Sequence, residues 1–169
     1  ETQTPVFMAQ MKHVVFRPYW DVPDSIVRRE MLPQIRAKPA FLTRNHLELV
    51  SGRRDDSPVV PPTRKNIEAL ATGAVRLRQQ PGPDNALGAI KFVFPNVHSV
   101  YLHSTPDKRL FKESSRAFSH GCIRVGDPVA LAAHVLRNAE GDWTAEKIDL
   151  AMKGEPNQRV ALSKPIQVM

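Results

Sequence analysis

The chain has a single cysteine, Cys122, in 169 residues. A lone thiol excludes an intramolecular disulfide framework, and without C-x-x-C pairing a structural zinc site lacks its usual ligands. No apolar run approaches the roughly 20 residues that a membrane-spanning helix needs. No signal peptide, internal repeat or low-complexity segment can be read. Aromatic residues make up only 7%, and none are interleaved with the basic residues as in a nucleic-acid motif, so nucleic acid is not an expected partner.

What is present points to one soluble domain, or one domain with a sizeable insertion: 41% hydrophobic and 24% charged residues. Fifteen prolines and eight glycines indicate many turns rather than a helical bundle. The net charge of +7 is uneven. Between Ser25 and Arg78 there are eleven Lys/Arg against five Asp/Glu, and thirteen against twelve elsewhere. A solvated basic surface is the expectation for that segment. The chain opens on Glu1 and stops at "PIQVM", within a strand-like run. We therefore expect a piece of a longer protein, truncated at both ends, with any targeting signal or membrane anchor outside it.

Local patterns predict a β-rich α+β domain. Residues 5–20 carry β-branched and aromatic residues at strand density, and a short helix should follow from Asp24 or Ser25 and stop at Pro33. "HLELVSG" and "AVRLRQQ" read as strands, "RRDDSP" and "VVPPT" as exposed turns, and "RKNIEALATG" as a helix closed by Gly73. "LGAIKFVFPN" and "SVYLHST" are the clearest strands, parted by a turn at Pro95-Asn96, and "PDKRLFKESSRAF" is a loop with one helical turn. Asp127 is a good N-cap with Pro128 at N1, and Val129, Ala132, Ala133 and Leu136 fall on one face. A second helix starts at Thr144, stapled by Trp143 and Ile148 and closed by Gly154, before "RVALSKPIQVM" returns to strand.

Cys122 lies in "SHGCIRV", at the boundary between a polar turn and a β-type run. It is either a small buried hydrophobe or a reactive thiol. A nucleophilic thiol needs a base, and His120 and His103 are the two candidates. His120 is two residues away, and His103 closes "SVYLHST" with Tyr101 before it and Ser104 after it. Gly121 permits a tight turn whose amides could face an oxyanion. His13, His46, His98 and His134 have no partner pattern, and Trp20 and Trp143 read as packing residues.

"HSTPDKRLFKESSRAFSHGCIRV" resembles the signature of the L,D-transpeptidase family, the YkuD-type catalytic domain: a His, fifteen residues, then Ser-His-Gly-Cys-x-Arg. "FRPYWDVPDSI", "RQQPGPDNALGAIKFVFPN" and "VYLHSTPDKRLF" extend the resemblance to the large Gram-negative type. The resemblance implies a β-sandwich with a few short helices over 1–169, interrupted by a capping subdomain at 25–80. It implies Cys122 as nucleophile and His103 as general base. Tyr101, Gly121, His120 and Ser104 would support the oxyanion and the turn, with Arg124 and Ser119 at the substrate. The implied reaction is acyl transfer on peptidoglycan stem peptides, from a donor tetrapeptide to an acceptor amine, in the periplasm or cell envelope. It implies no metal or cofactor, and carbapenem β-lactams as acylating inhibitors. A lone thiol also suits an oxidising compartment, where a second cysteine would risk trapping the nucleophile.

Overall fold

Strand and helix follow one another in the order β1 (Ala9–Phe16), β2 (Trp20–Asp21), α1 (Asp24–Ile26), α2 (Leu32–Ala37), α3 (Ala40–Arg44), β3 (Leu47–Val50), β4 (Val59–Val60), α4 (Arg64–Ala69), β5 (Arg76–Gln79), β6 (Ile90–Val93), β7 (Leu102–His103), β8 (Ile123–Arg124), α5 (Pro128–Leu136), α6 (Ala145–Lys153) and β9 (Gln158–Val168). These come from a computed structural model that describes residues 5–52, 54, 56–115, 121–154 and 156–169. The fold is α+β and rich in β-structure, with short helices. The chain divides into two units, Glu1–Pro18 with Ala86–Met169, and Tyr19–Asn85.

In the first unit a five-stranded sheet has the order β8-β7-β6-β1-β9. β1 pairs antiparallel with both β6 and β9, and β6 with β7, whereas β7 and β8 run parallel. Alternation along the central strands sends Val14, Phe16, Ile90 and Phe92 to one face, where they meet Leu136 of α5 and Ile148 of α6. Each of these six is fully buried, and burial of side chains this size contributes about 1.5–3 kcal/mol apiece. α5 forms where the sequence places it: the Asp127 carboxylate accepts from the Ala130 N–H at 3.0 Å, and Pro128 occupies the first turn. Thr144 caps α6 in the same way through Lys147 N–H, and Trp143 just before it stacks on Phe16 at 5.0 Å.

The second unit has a four-stranded sheet, β2-β5-β3-β4, over its own core of Val22, Ile35, Leu49, Leu70 and Leu77. Two expectations are corrected here. Helical backbone continues past Pro33, because a π-helical turn over Val27–Met31 precedes it and Pro33 enters at the start of α2. The wider ring relieves the ladder at the point where proline cannot donate and would crowd the preceding carbonyl. The "VVPPT" segment is not simply an exposed turn: Val59 and Val60 pair with Val50 and Leu49 as β4. Two β-branched residues next to a strand edge satisfy backbone groups that a turn would leave to water.

The basic segment is also less uniform than a solvated surface. Arg36, Arg54, Arg76 and Arg78 pair with Glu68, Asp56, Asp21 and Glu48. Arg78 is buried, with its guanidinium 4.1 Å over the Tyr19 ring and its Nε 2.8 Å from Glu48. The planar, weakly hydrated guanidinium is the cation best suited to such a site.

Candidate active site

The parallel pairing of β7 with β8 assembles the site. Leu102 lies opposite Ile123 and His103 opposite Arg124, and the ladder continues through Ile123 N–H to Tyr101 O (3.1 Å) and Val125 N–H to His103 O (2.8 Å). On the other side of β7, Lys91 of β6 lies opposite His103. Directly opposed residues in a sheet share a face, and side chains alternate with period two. Lys91, His103 and Arg124 therefore share the face opposite the core residues Phe92 and Leu102. Tyr101, two residues before His103, lies against it, and Cys122, two before Arg124, immediately precedes β8. Parallel neighbours require a crossover of a dozen or more residues, and nineteen residues separate His103 from Ile123.

His103 is buried, and its Nδ1 lies 2.6 Å from the Ser104 carbonyl. A carbonyl can only accept, so Nδ1 carries the proton and Nε2 is the basic atom of the neutral ring. Burial pushes the His103 pKa below its ordinary value of 6.5, against the Ser104 carbonyl, and the charges of Arg124 and Lys91 push it further down while the Leu87 carbonyl opposes them. Neutral imidazole is the form that can take a proton from a thiol. Cys122 is half-buried, with Sγ 3.9 Å from the Ser99 carbonyl.

Ser104 occupies a different environment from an oxyanion donor. Its buried Oγ accepts from the N–H groups of Ala89 (2.8 Å) and Ile90 (3.2 Å) and donates to the Leu87 carbonyl at 3.2 Å. It ties the segment entering β6 to the end of β7, next to His103. Gly121 has φ +119, a conformation that L side chains rarely adopt, and among the described residues a Cβ built there would meet nothing within 4 Å. Its need for glycine is backbone geometry. Tyr101 is half-buried with its ring edge-on to His103, centroids 5.9 Å apart. Ser119 and His120 lie outside the described residues. Among the described residues no group of three or more His, Cys, Asp or Glu is placed to hold a metal ion.

Sequence reasoning passed over four residues that shape this face. Lys91 holds its ammonium 4.0 Å from the Tyr101 ring centroid. The visible signal was a lysine between Ile90 and Phe92, on the strand face opposite the core. Gly88 adopts φ +62, and a Cβ there would collide with Ser104 Oγ and come within 2.8 Å of Thr105 N. Asn96 organises the β6–β7 connection: its Oδ1 accepts from His98 and Val100 N–H (3.0 and 3.1 Å), and its Nδ2 donates to the Phe94 and Val100 carbonyls (2.7 Å each). That connection presents the fourth, Ser99, whose φ of 54 and carbonyl toward Cys122 had no sequence signal.

Residues 1–155 match the family described as the L,D-transpeptidase catalytic domain, YkuD. The chain belongs to the L,D-transpeptidase catalytic domain family. It is also 31% identical over 165 residues to a Haemophilus influenzae protein named "Putative L,D-transpeptidase". That alignment covers 97% of this chain and 33% of the relative, so the chain spans about a third of the relative's length.

Proposed function

We propose that this domain is a peptidoglycan L,D-transpeptidase that forms 3→3 cross-links through a thioester on Cys122. The observation that carries the reading is the parallel β7–β8 pairing, which brings His103 opposite Arg124, two residues after Cys122. Neutral His103 takes the thiol proton at Nε2, and the sulfur attacks the carbonyl of the third residue of a tetrapeptide stem. The backbone N–H groups at Gly121 and Cys122, with Tyr101, hold the oxyanion. As the tetrahedral adduct collapses, the bond to the terminal D-Ala breaks and His103 returns the proton to the departing amine. A side-chain amine of a second stem then attacks the thioester, forming the new amide and regenerating the thiol. Arg124 serves the substrate's carboxylate. The 25–80 segment is read as the inserted cap that governs acceptor choice, and the compartment as the periplasm or cell envelope. Carbapenems acylate the same sulfur, since a strained lactam presents the same electrophile. Water as acceptor would make the enzyme a stem-peptide hydrolase.

The test is incubation of the full-length protein with disaccharide-tetrapeptide muropeptides, with product masses recorded beside Cys122→Ala. A Cys122-dependent dimer that has lost one alanine supports the transpeptidase reading. Tripeptide monomer with free alanine replaces it by the hydrolase. If neither product forms and a carbapenem leaves no adduct on Cys122, catalysis is rejected in favour of a cell-wall binding module.

A further inference from the structure

We propose that Lys91 is a positioning residue for His103, holding the Tyr101 ring by its ammonium while the Tyr101 ring braces the imidazole. The inference rests on the reading of His103 as the base. Lys91 and His103 are direct partners across β6 and β7, and Tyr101 is the diagonal neighbour of Lys91 on the same face. A strand lysine can extend into water at little cost, yet Lys91 places Nζ 4.0 Å from the Tyr101 centroid. An ammonium over an aromatic face is attracted by the ring's negative quadrupole. The positive edge of a ring favours the T-shaped contact that Tyr101 and His103 make, with an interplanar angle of 66°. The imidazole is thus held by Nδ1–H on the Ser104 carbonyl, by the Leu87 carbonyl and by its T-shaped contact with Tyr101. Nε2 remains the basic atom.

The charge of Lys91 acts in the same direction. The groups around His103 are Lys91 from β6, Arg124 from β8, Tyr101 from its own strand, and the carbonyls of Ser104 and Leu87. Asp107, after β7, lies within the field of Arg124 and is paired with Arg109. Removing Lys91 leaves one cation of the two that disfavour imidazolium.

The experiment follows the His103 signal of the full-length, 15N-histidine-labelled protein through pH, assigned by its loss in His103→Gln. Lys91→Met is expected to raise the His103 midpoint by about half a pH unit, and Lys91→Arg to leave it near wild type. With muropeptides, Lys91→Met should lower kcat by about 3–10-fold with KM little changed, and Lys91→Arg should recover most of it. Lys91→Gln takes the place of the Met variant if that variant does not fold. An unchanged midpoint and unchanged kcat in the uncharged variant overturn the proposal, as does an Arg variant no better than Met. Should the wild-type protein turn over no muropeptide, the transpeptidase reading fails on its own, and the His103 titration alone decides the role of Lys91.

Discussion

His103 and Arg124 are direct partners across a parallel strand pair, although 21 positions separate them in the sequence. Their strands are neighbours only because the intervening segment crosses over. The pairing therefore does two things together: it brings the Cys122 end of β8 alongside β7, and it adds the charge of Arg124 to the burial that lowers the His103 pKa.

Burial, aided by that charge, sets a pH dependence. The native His103 pKa lies below 6.5, so the unfolded chain, titrating near the ordinary value, takes up this proton first as pH falls. Stability from keeping His103 neutral is complete above about pH 6.5 and is lost as pH falls through the native pKa. Denaturant midpoints between pH 8 and 5 should decline for wild type and decline less for His103→Gln. The acidic limb of kcat/KM should lie below pH 6.5, since the base works only when neutral. A limb well above that value would contradict the environment described for His103.

Gly88 is the position where an added methyl should do most harm. Its φ is +62, and the Cβ would strike the Ser104 hydroxyl that fastens β6 to the end of β7. Gly88→Ala is expected to cost about 2–4 kcal/mol, combining backbone strain with the displaced hydroxyl. Activity should drop along with stability, because Ser104 borders His103. Urea unfolding read beside turnover checks both, and a Gly88→Ala protein as stable as wild type would count against the geometry.

Asn96 makes four hydrogen bonds within the β6–β7 connection. Asn96→Ala strands those backbone groups at a cost of about 2–3 kcal/mol. The connection also presents the Ser99 carbonyl to Cys122, so loosening it should expose the sulfur. Iodoacetamide is expected to label Cys122 faster in this variant than in wild type at the same pH. Equal rates would mean that the connection does not shield the thiol.

In the Tyr19–Asn85 unit, the buried Arg78 and its partner Glu48 should behave as a pair. Arg78→Met leaves the Glu48 carboxylate, only 12% exposed, without its cation, and such a break typically costs about 3–5 kcal/mol. Replacing both, Arg78→Met with Glu48→Leu, should recover part of the loss because neither charge is then left buried alone. Denaturation of the singles and the double gives the coupling. A double mutant worse than the sum of the singles would refute the pair as described.

How far the fold and site could be read follows from the range of the signals. Caps and periodicity are local, so α5 with Asp127 and Pro128, α6 with Thr144, and strands such as Ile90–Val93 could be read from neighbouring residues alone. Pro33 and Val59–Val60 could not. Whether a proline ends a helix depends on a π turn before it, and whether two valines pair depends on the edge strand they meet. The histidine-to-cysteine spacing marked the candidate site because one segment of chain carries both ends of the crossover.

Composition and motif thus determined a β-rich α+β chain with one thiol and two candidate histidines beside it. Tertiary structure decided which neighbours surround them. Lys91 comes to lie beside His103 only through the register of β6 against β7. Ser104 turns its hydroxyl inward to bind three backbone groups, and Arg78 is buried under Tyr19. Register and burial are properties of segments distant in sequence, and no local pattern encodes the strand that comes to lie alongside.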